Sequence, residues 1–554
     1  MKHLLLTFLA GMVSFFVSAQ ETIKPVPLKT GYSVKLSEIT PGKMKYAKSV
    51  GIDYIEVSGL NGLFGGDRNL LFSKEKVFEQ FKNVKKAADD AGIEIWSVHM
   101  PFGRHIDLSL PDERERKEVV ALHKQVLEFC RVFQPAVILF HPSYYLGLNE
   151  REIRKKQLIQ SVLDLNPAVK SLDAVMVIEN MLGYRLKKDE KRENPLCRSV
   201  SETVEIMDRL PQSVYSAIDM NHIKNPENLI RVMGKRLKSV HIADGDGEKE
   251  CHYFPCSGEG KNNWTEILTA LEEAEYNGPF MFECAYEDEK NLVECYRHLY
   301  KKTFTEIEWN ETRIRDGIIL KSANVELFES QQAVYFVEID TSIAGLNYFV
   351  GMPDTLLPTS TQAKSKGALI AINGSYFNMK EGPSRHFVKI ENEVVAETAE
   401  SEFGTRATGV FSVRSNRIDI AEWTTEKEAA SAGDASFALV SGPIVIDDHN
   451  TMEMWDSPFV NNRHPRSFAA FCNGKLLLGV VDGRDPGRAD GMNLHELRTL
   501  AWRLGCSDLL NLDGGGSSTL YVKGISDTGI VNIPSDGNER PVKSIIYVTL
   551  NKNE

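Results

Sequence analysis

The stretch richest in reactive groups is Leu512-Asp513-Gly514-Gly515-Gly516-Ser517-Ser518-Thr519-Leu520. Three consecutive glycines weaken a strand and let the backbone adopt angles that side chains forbid, which suits a place where something must approach the main chain. The loop carries one carboxylate, two serine hydroxyls and a row of N–H groups, a set able to hold a phosphate or a sugar oxygen. The plain alternative is a flexible turn. A second set is spread over the first half. His99, His141, Glu179, Asp219, His241 and Glu283 each close a short apolar run. Among them Glu179, Asp219, His241 and Glu283 offer three carboxylates and one imidazole. That mixture suits Mn²⁺, Mg²⁺, Co²⁺ or Zn²⁺ and, lacking thiolates, does not suit a closed structural site.

The elements that must position these groups follow from periodicity. The apolar runs are Tyr32–Leu36, Tyr54–Val57, Ile93–His99, Ala136–His141, Ala174–Glu179, Tyr215–Asp219, Leu237–His241 and Phe280–Glu283. Each is followed by a charged amphipathic segment, so residues 28–303 read as an α/β unit of eight strands alternating with helices, a (β/α)8 TIM barrel. In such a barrel the C-terminal strand ends converge on one mouth. Asp112 is the expected N-cap of one helix, with Glu115 three residues on and Val119, Leu122, Val126, Leu127 and Cys130 as its apolar stripe. Residues 304–315 form a polar connector. Residues 316–554 change period and read as α+β, mostly sheet. There Asn473-Gly474 marks a hairpin, and Asn493 caps a helix bearing Glu496 that ends at Gly505.

At 554 residues the chain exceeds one hydrophobic core, and its net charge of −12 argues against a nucleic-acid surface. Lys2, the apolar run Leu4–Val17 and Ser18-Ala19 describe a secretory leader over residues 1–19, cleaved after Ala19, so a secreted or periplasmic protein is expected. The run is short for a membrane span, and no other segment is apolar enough. The eight cysteines are scattered without a Cys-x-x-Cys pair. Cys251, Cys256, Cys284 and Cys295 share one region, where free buried thiols are expected in preference to a disulfide.

Ordered blocks in the second half carry a family resemblance: Asn373-Gly374-Ser375-Tyr376-Phe377, Thr405-Arg406-Ala407-Thr408-Gly409, Ser441-Gly442-Pro443, His464-Pro465-Arg466, Val481-Asp482-Gly483-Arg484, the triglycine loop, and Glu539-Arg540-Pro541-Val542. They resemble the phosphodiester glycosidase family, whose lysosomal member removes N-acetylglucosamine from a sugar phosphodiester. The resemblance implies hydrolysis between an anomeric carbon and a phosphodiester. Asp482 and Asp513 would be the acid and base, in an order the sequence does not fix. Asn373, Tyr376, Arg406, Arg466, Arg484, Gly514, Gly515, Gly516, Ser517 and Ser518 would bind substrate. Glu496 has a sufficient role as a helix cap, and Arg540 reads equally as a site or a surface residue.

The strand-end set, with Asp219-x-x-His222, Gly258-Glu259-Gly260 and Trp264, is similar to the xylose-isomerase-like sugar phosphate isomerase/epimerase family. That implies a divalent metal on Glu179, Asp219, His241 and Glu283, proton transfer by Glu179 and Glu283 beside a sugar carbonyl, and His99, His141 and His222 as substrate contacts or ligands to further metals. Arg104, Arg185 and Lys187 are candidate phosphate anchors. Two alternatives stand beside this: a non-catalytic sugar-binding module, and a multi-zinc phosphodiesterase similar to the endonuclease IV group, against which export and acidity both weigh. The expected partners are a sugar, a glycan or a sugar phosphodiester, with no nucleic acid and no membrane.

Overall fold

The computed structural model describes residues 26–182, 192–380 and 382–551. The leader and the candidate anchors Arg185 and Lys187 lie outside the described residues. The chain divides into two compact units. One comprises Pro25–Glu306 with Leu327–Glu329, and the other Ile307–Glu326 with Ser330–Glu554.

All eight apolar runs of the first unit are strands: β1 Thr30–Lys35, β2 Tyr54–Ser58, β3 Glu94–His99, β4 Val137–Phe140, β5 Val175–Glu179, β6 Val214–Asp219, β7 Leu237–His241 and β8 Phe280–Phe282. They form one parallel sheet in the order β8-β1-β2-β3-β4-β5-β6-β7. The ring is completed by a parallel bridge between Ile242 and Phe282. There Ile242 donates to Met281 at 2.8 Å and Glu283 donates back to Ile242 at 3.1 Å. The strands are β-branched and buried on both faces because helices cover the outside, as a parallel sheet requires. The helix Glu113–Cys130 starts where expected. The Asp112 carboxylate accepts from the N–H groups of Arg114 and Glu115 at 3.0 and 2.9 Å, and the expected apolar stripe is buried. Each such side chain contributes about 1.5–3 kcal/mol on burial.

The long connection after β7 is held from within. The Asp244 carboxylate accepts from Trp264 Nε1 at 2.9 Å and from the N–H groups of Gly245 and Asn262 at 2.8 and 3.0 Å. A Cβ on Gly260 would collide with Asp244, which explains the glycine. A disulfide from Cys256 to Cys295 ties this connection to the helix Glu289–Phe304. The expectation of free thiols is corrected here: the connection folds back over the last helix and brings the pair together. Cys251 and Cys284 are free, as are the buried Cys130 and Cys197.

The second unit is built on three sheets. An eight-stranded sheet runs Asn310–Arg315, Ile318–Leu327, Ser330–Asp340, Lys475–Val481, Arg466–Cys472, Cys506–Asn511, Ile444–Asp447 and Asn450–Thr451 in spatial order. A four-stranded sheet orders Leu346–Gly351, Ile545–Leu550, Ile370–Asn373 and Leu520–Val522, and a five-stranded sheet carries Gly409–Arg414 and Phe437–Ser441. Their inner faces share one core that includes Val337, Ile372, Phe411, Leu439, Leu478, Leu510 and Ile546. Asn473 and Gly474 take φ of 50° and 76°, the positive values a tight hairpin demands. Cys472 and Cys506 lie opposite each other on paired strands and form a second disulfide that sequence spacing did not indicate. Asn493 and Glu496 close a reciprocal capping box on the helix Leu494–Arg503.

Candidate active sites

At the barrel mouth, groups far apart in the chain, from Glu56 to Glu283, meet around His241. Its Nδ1 lies 2.7 Å from both Glu179 Oε1 and Glu283 Oε2. Donor atoms of Glu179, Asp219, His241 and Glu283 all fall within 4.8 Å of one another. Two further sets adjoin this one and share a carboxylate with it: His99, His141 and Glu179 on one side, and Asp219, His222 and His252 on the other. His141 Nε2 is 3.0 Å from Glu179 Oε2, and His222 Nε2 is 3.4 Å from Asp219 Oδ2.

The imidazoles are oriented in advance. Nδ1 of His99 faces the Met100 carbonyl at 3.1 Å, that of His222 the Asn180 carbonyl at 3.0 Å, and that of His252 the Glu283 carbonyl at 2.6 Å. With a proton on each Nδ1, Nε2 keeps its lone pair for a cation, the arrangement by which outer hydrogen bonds fix a ligand's tautomer. Glu179 Oε2, Asp219 Oδ2 and His222 Nε2 are buried and make no well-directed hydrogen bond among the described residues, their nearest partners being the imidazoles and carboxylate just named. Buried polar atoms left unpaired are costly, so the donor set fits divalent cations. The local field is strongly polarised. Burial raises the Asp219 carboxyl, whereas for Glu283 burial is outweighed by His241, which holds it at about 2. Burial opposes a proton on His222, yet Asp219 raises it to about 9.

Three residues here were missed or underweighted in sequence. Glu56, fully buried in β2, faces His241 Nε2 at 3.0 Å. Its only signal was a charge inside an apolar run. Glu250 and His252 come from the connection after β7, and Glu250 Oε1 lies 3.3 Å from His252 Nε2 and 3.7 Å from His222 Nε2.

In the second unit the triglycine loop follows the strand Cys506–Asn511 and closes into a single 3-10 turn, Gly515–Ser517. Gly515 N–H donates to the Pro465 carbonyl at 2.9 Å, and those of Ser517 and Ser518 donate within the loop at 3.3 and 3.2 Å. The loop therefore offers a ligand fewer free N–H groups than its sequence suggests. Close approach does explain the glycines. Cβ atoms would lie 2.5 Å from the Pro465 carbonyl oxygen at position 514 and 3.1 Å from Arg484 Nη2 at position 515, and would collide with Arg540 and Asp536 at position 516. Arg484 and Arg540 thus lie against the loop.

Asp513 is partly open to solvent. Burial pushes its carboxyl up to about 6, against the lowering influence of the Ser517 hydroxyl, Arg540 and Arg406. Arg406 stacks over the Tyr376 and Phe459 rings at 5.5 and 5.1 Å. Arg406 and Arg540 both act on the Asp513 carboxyl, Arg484 and Arg540 lie along the loop that follows it, and the Arg540 guanidinium is paired with Asp536 at 2.7 Å. Of the other expected residues, Ser517 and Ser518 lie buried in the loop itself and four brace it. Asn373 donates to the Asp513 carbonyl at 2.6 Å and accepts from Ser467 and Thr519 at 2.8 and 3.1 Å. The Tyr376 hydroxyl donates to the Gly442 carbonyl at 2.9 Å and accepts from Asn511 at 2.8 Å. Arg466, 1 % exposed, donates to the carbonyls of Met492, Phe459 and Asn462 at 2.8–3.1 Å. Asp482, also buried, accepts from Asn532, Ile533 and Arg488 at 2.9, 3.1 and 3.0 Å. Their polar atoms are engaged by the fold. Ser375, part of the Asn373–Phe377 block but not singled out in it, sets Oγ 2.8 Å from Nδ1 of His386, whose Nε2 lies 3.5 Å from Glu402. His386 holds the Glu402 carboxyl at about 2. Among the described residues no helix is long and apolar enough to cross a membrane.

Comparison with known proteins divides the chain the same way. Residues 44–302 match the profile of the xylose isomerase-like TIM barrel, and residues 366–549 that of the phosphodiester glycosidases. An uncharacterized protein of Methanocaldococcus jannaschii is 26% identical over 226 residues, covering 37% of this chain and 83% of its own. The N-acetylglucosamine-1-phosphodiester alpha-N-acetylglucosaminidase of Bos taurus is 25% identical over 190 residues, covering 31% of this chain. The match spans only 34% of that enzyme's length. Among solved structures, a D-tagatose 3-epimerase-like protein aligns with a TM-score of 0.41 at 19% identity, over 50% of this chain and 98% of its own. The N-terminal half thus resembles the xylose isomerase-like TIM barrels, and the C-terminal half the phosphodiester glycosidases.

Proposed function

We propose that this is an exported two-unit carbohydrate enzyme. Its second unit hydrolyses a sugar-1-phosphodiester between the anomeric carbon and the phosphate oxygen. Water adds to the sugar, the C–O bond breaks, and the products are a reducing sugar and a phosphomonoester. The observation that carries this reading is Asp513, a carboxyl raised to about 6 in the field of Arg406 and Arg540, on a loop against which Arg484 also lies. A carboxyl of that acidity can hold or release a proton near neutral pH. Planar guanidinium groups match the phosphate oxygens. The activity named for the similar Bos taurus enzyme supports the same assignment. Asp482 is the second carboxylate of this reading, held by Asn532 and Arg488. The test is release of sugar from sugar-1-phosphodiesters by the full chain, with Asp513→Ala as control; a variant of undiminished rate would remove Asp513 from the chemistry.

For the barrel we propose a divalent-metal-dependent sugar isomerase or epimerase, with Glu179, Asp219, His241 and Glu283 as the ligands. A bound cation would draw electron density from neighbouring sugar carbonyl and hydroxyl oxygens. Glu179 and Glu283 would move the proton beside that carbonyl, and His99, His141 and His222 would contact substrate. A second reading, hydrolysis of a phosphate ester by several cations, is favoured by the two adjoining ligand sets that share Glu179 and Asp219. Charge separates the two readings. Three divalent cations exceed the charge of Glu56, Glu179, Asp219, Glu283 and Glu250 and would attract a phosphate, whereas one cation leaves the mouth negative and suited to a neutral sugar. Counting metal per chain by mass spectrometry, alongside assays on ketoses and on phosphate esters, decides between them. A chain that takes up no divalent ion would favour a sugar-binding module.

A further inference from the structure

We propose that Glu56 is a positioning residue that holds His241 as a metal donor through Nδ1. The inference rests on the reading of the mouth as a divalent-cation site. Glu56 lies mid-strand in β2, in register with Ser33 and Ser97. It is fully buried. An ionised carboxylate in that position is costly unless its oxygens are matched. Both are: Ser97 Oγ donates to Oε2 at 2.8 Å, and Oε1 lies 3.0 Å from His241 Nε2.

The opposite edge of the same ring faces the ligand oxygens, with Nδ1 2.7 Å from Glu179 Oε1 and 2.7 Å from Glu283 Oε2. A neutral imidazole has one proton. If Nδ1 gives its lone pair to a cation, the proton sits on Nε2, and the acceptor beside it is Glu56. His99, His222 and His252 present the reverse pattern, with Nδ1 on a backbone carbonyl and Nε2 toward the site. His241 faces the ligand oxygens with Nδ1, and among the described residues the acceptor against its Nε2 is Glu56. Glu56 supplies from β2 what the backbone supplies to the other three, with a full charge that also strengthens the ring as a donor.

The test uses the full chain stripped of ions by chelation and titrated calorimetrically with Mn²⁺ or Zn²⁺, comparing wild type, Glu56→Gln and Glu56→Met. Thermal unfolding of each stripped chain is followed in parallel. Affinity for the tightest ion should fall about 10- to 100-fold in Glu56→Met. It should fall less in Glu56→Gln, whose amide oxygen still accepts from Nε2. The stripped Glu56→Gln chain should melt close to wild type, because its amide still pairs with His241 Nε2 and Ser97 Oγ, whereas Glu56→Met leaves both without an acceptor and should melt lower. Wild-type affinity in both variants, or lowered melting with unchanged affinity, overturns the proposal and leaves Glu56 a structural group. A wild-type chain that binds no ion overturns instead the cation reading beneath it.

Discussion

Asp513→Asn should make the protein less active and more stable, with the stability gain confined to neutral pH. The Asp513 carboxyl rises from the usual 3.8 to about 6, with burial as the main cause. Below 3.8 it is protonated in folded and unfolded chains alike and carries no penalty. Between 3.8 and 6 only the folded chain keeps the proton. Above 6 the folded chain holds a charge it disfavours, so stability is lost as pH rises through this window. The full shift corresponds to about 3 kcal/mol, and solvent reaching the partly open side chain reduces this to about 1–2 kcal/mol. Asparagine resembles the protonated acid and cannot ionise. Calorimetric melting of both full chains at pH 4 and pH 7.5 reads the difference, since contributions common to both chains cancel. The variant should match wild type at pH 4, exceed it by about 1–2 kcal/mol at pH 7.5, and lose 100-fold or more in sugar release, roughly the contribution of a proton-transfer group. A variant less stable at pH 7.5, or equally shifted at both pH values, would refute the idea that Asp513 is a strained, functionally retained acid.

Three further outcomes follow from the packing. Gly514→Ala places a Cβ 2.5 Å from the Pro465 carbonyl, which Gly515 N–H already fixes; it should cost about 1–3 kcal/mol in the second unit's melting transition and abolish sugar release. Arg540→Ala removes a cation that lowers Asp513, so whichever limb of the pH–rate profile for sugar release Asp513 governs should move to higher pH, and KM should rise. Replacing Cys256 and Cys295 by serine opens a closure spanning 39 positions. The barrel transition should lose up to about 4 kcal/mol, and ion affinity should fall because the freed connection carries Glu250 and His252.

The barrel was legible because its strands are short apolar runs alternating with amphipathic segments, and because the side chain closing six of them is polar. Convergence of Glu179, Asp219, His241 and Glu283 followed from that topology. Glu56 was not legible, since one charge inside Tyr54–Val57 looks like an edge or a bulge until β7 is placed across the ring from it. The disulfides were missed for a related reason: chain separation says nothing of the fold-back that sets Cys256 beside Cys295. In the second unit the blocks located the site, but residue type could not separate facing groups from bracing ones. Arg466 and Arg484 look equivalent in sequence, yet one is engaged by three carbonyls and the other lies on the glycine loop. Hydrogen-bond saturation is a property of the packed backbone.

Hydrolysis of a sugar-1-phosphodiester in ¹⁸O-water tests the central claim most directly, read on the phosphate because anomeric oxygens exchange with solvent. Cleavage on the sugar side predicts a phosphomonoester free of ¹⁸O, formed by wild type and lost in Asp513→Asn. Label in the phosphate, or an undiminished rate in the variant, would contradict it.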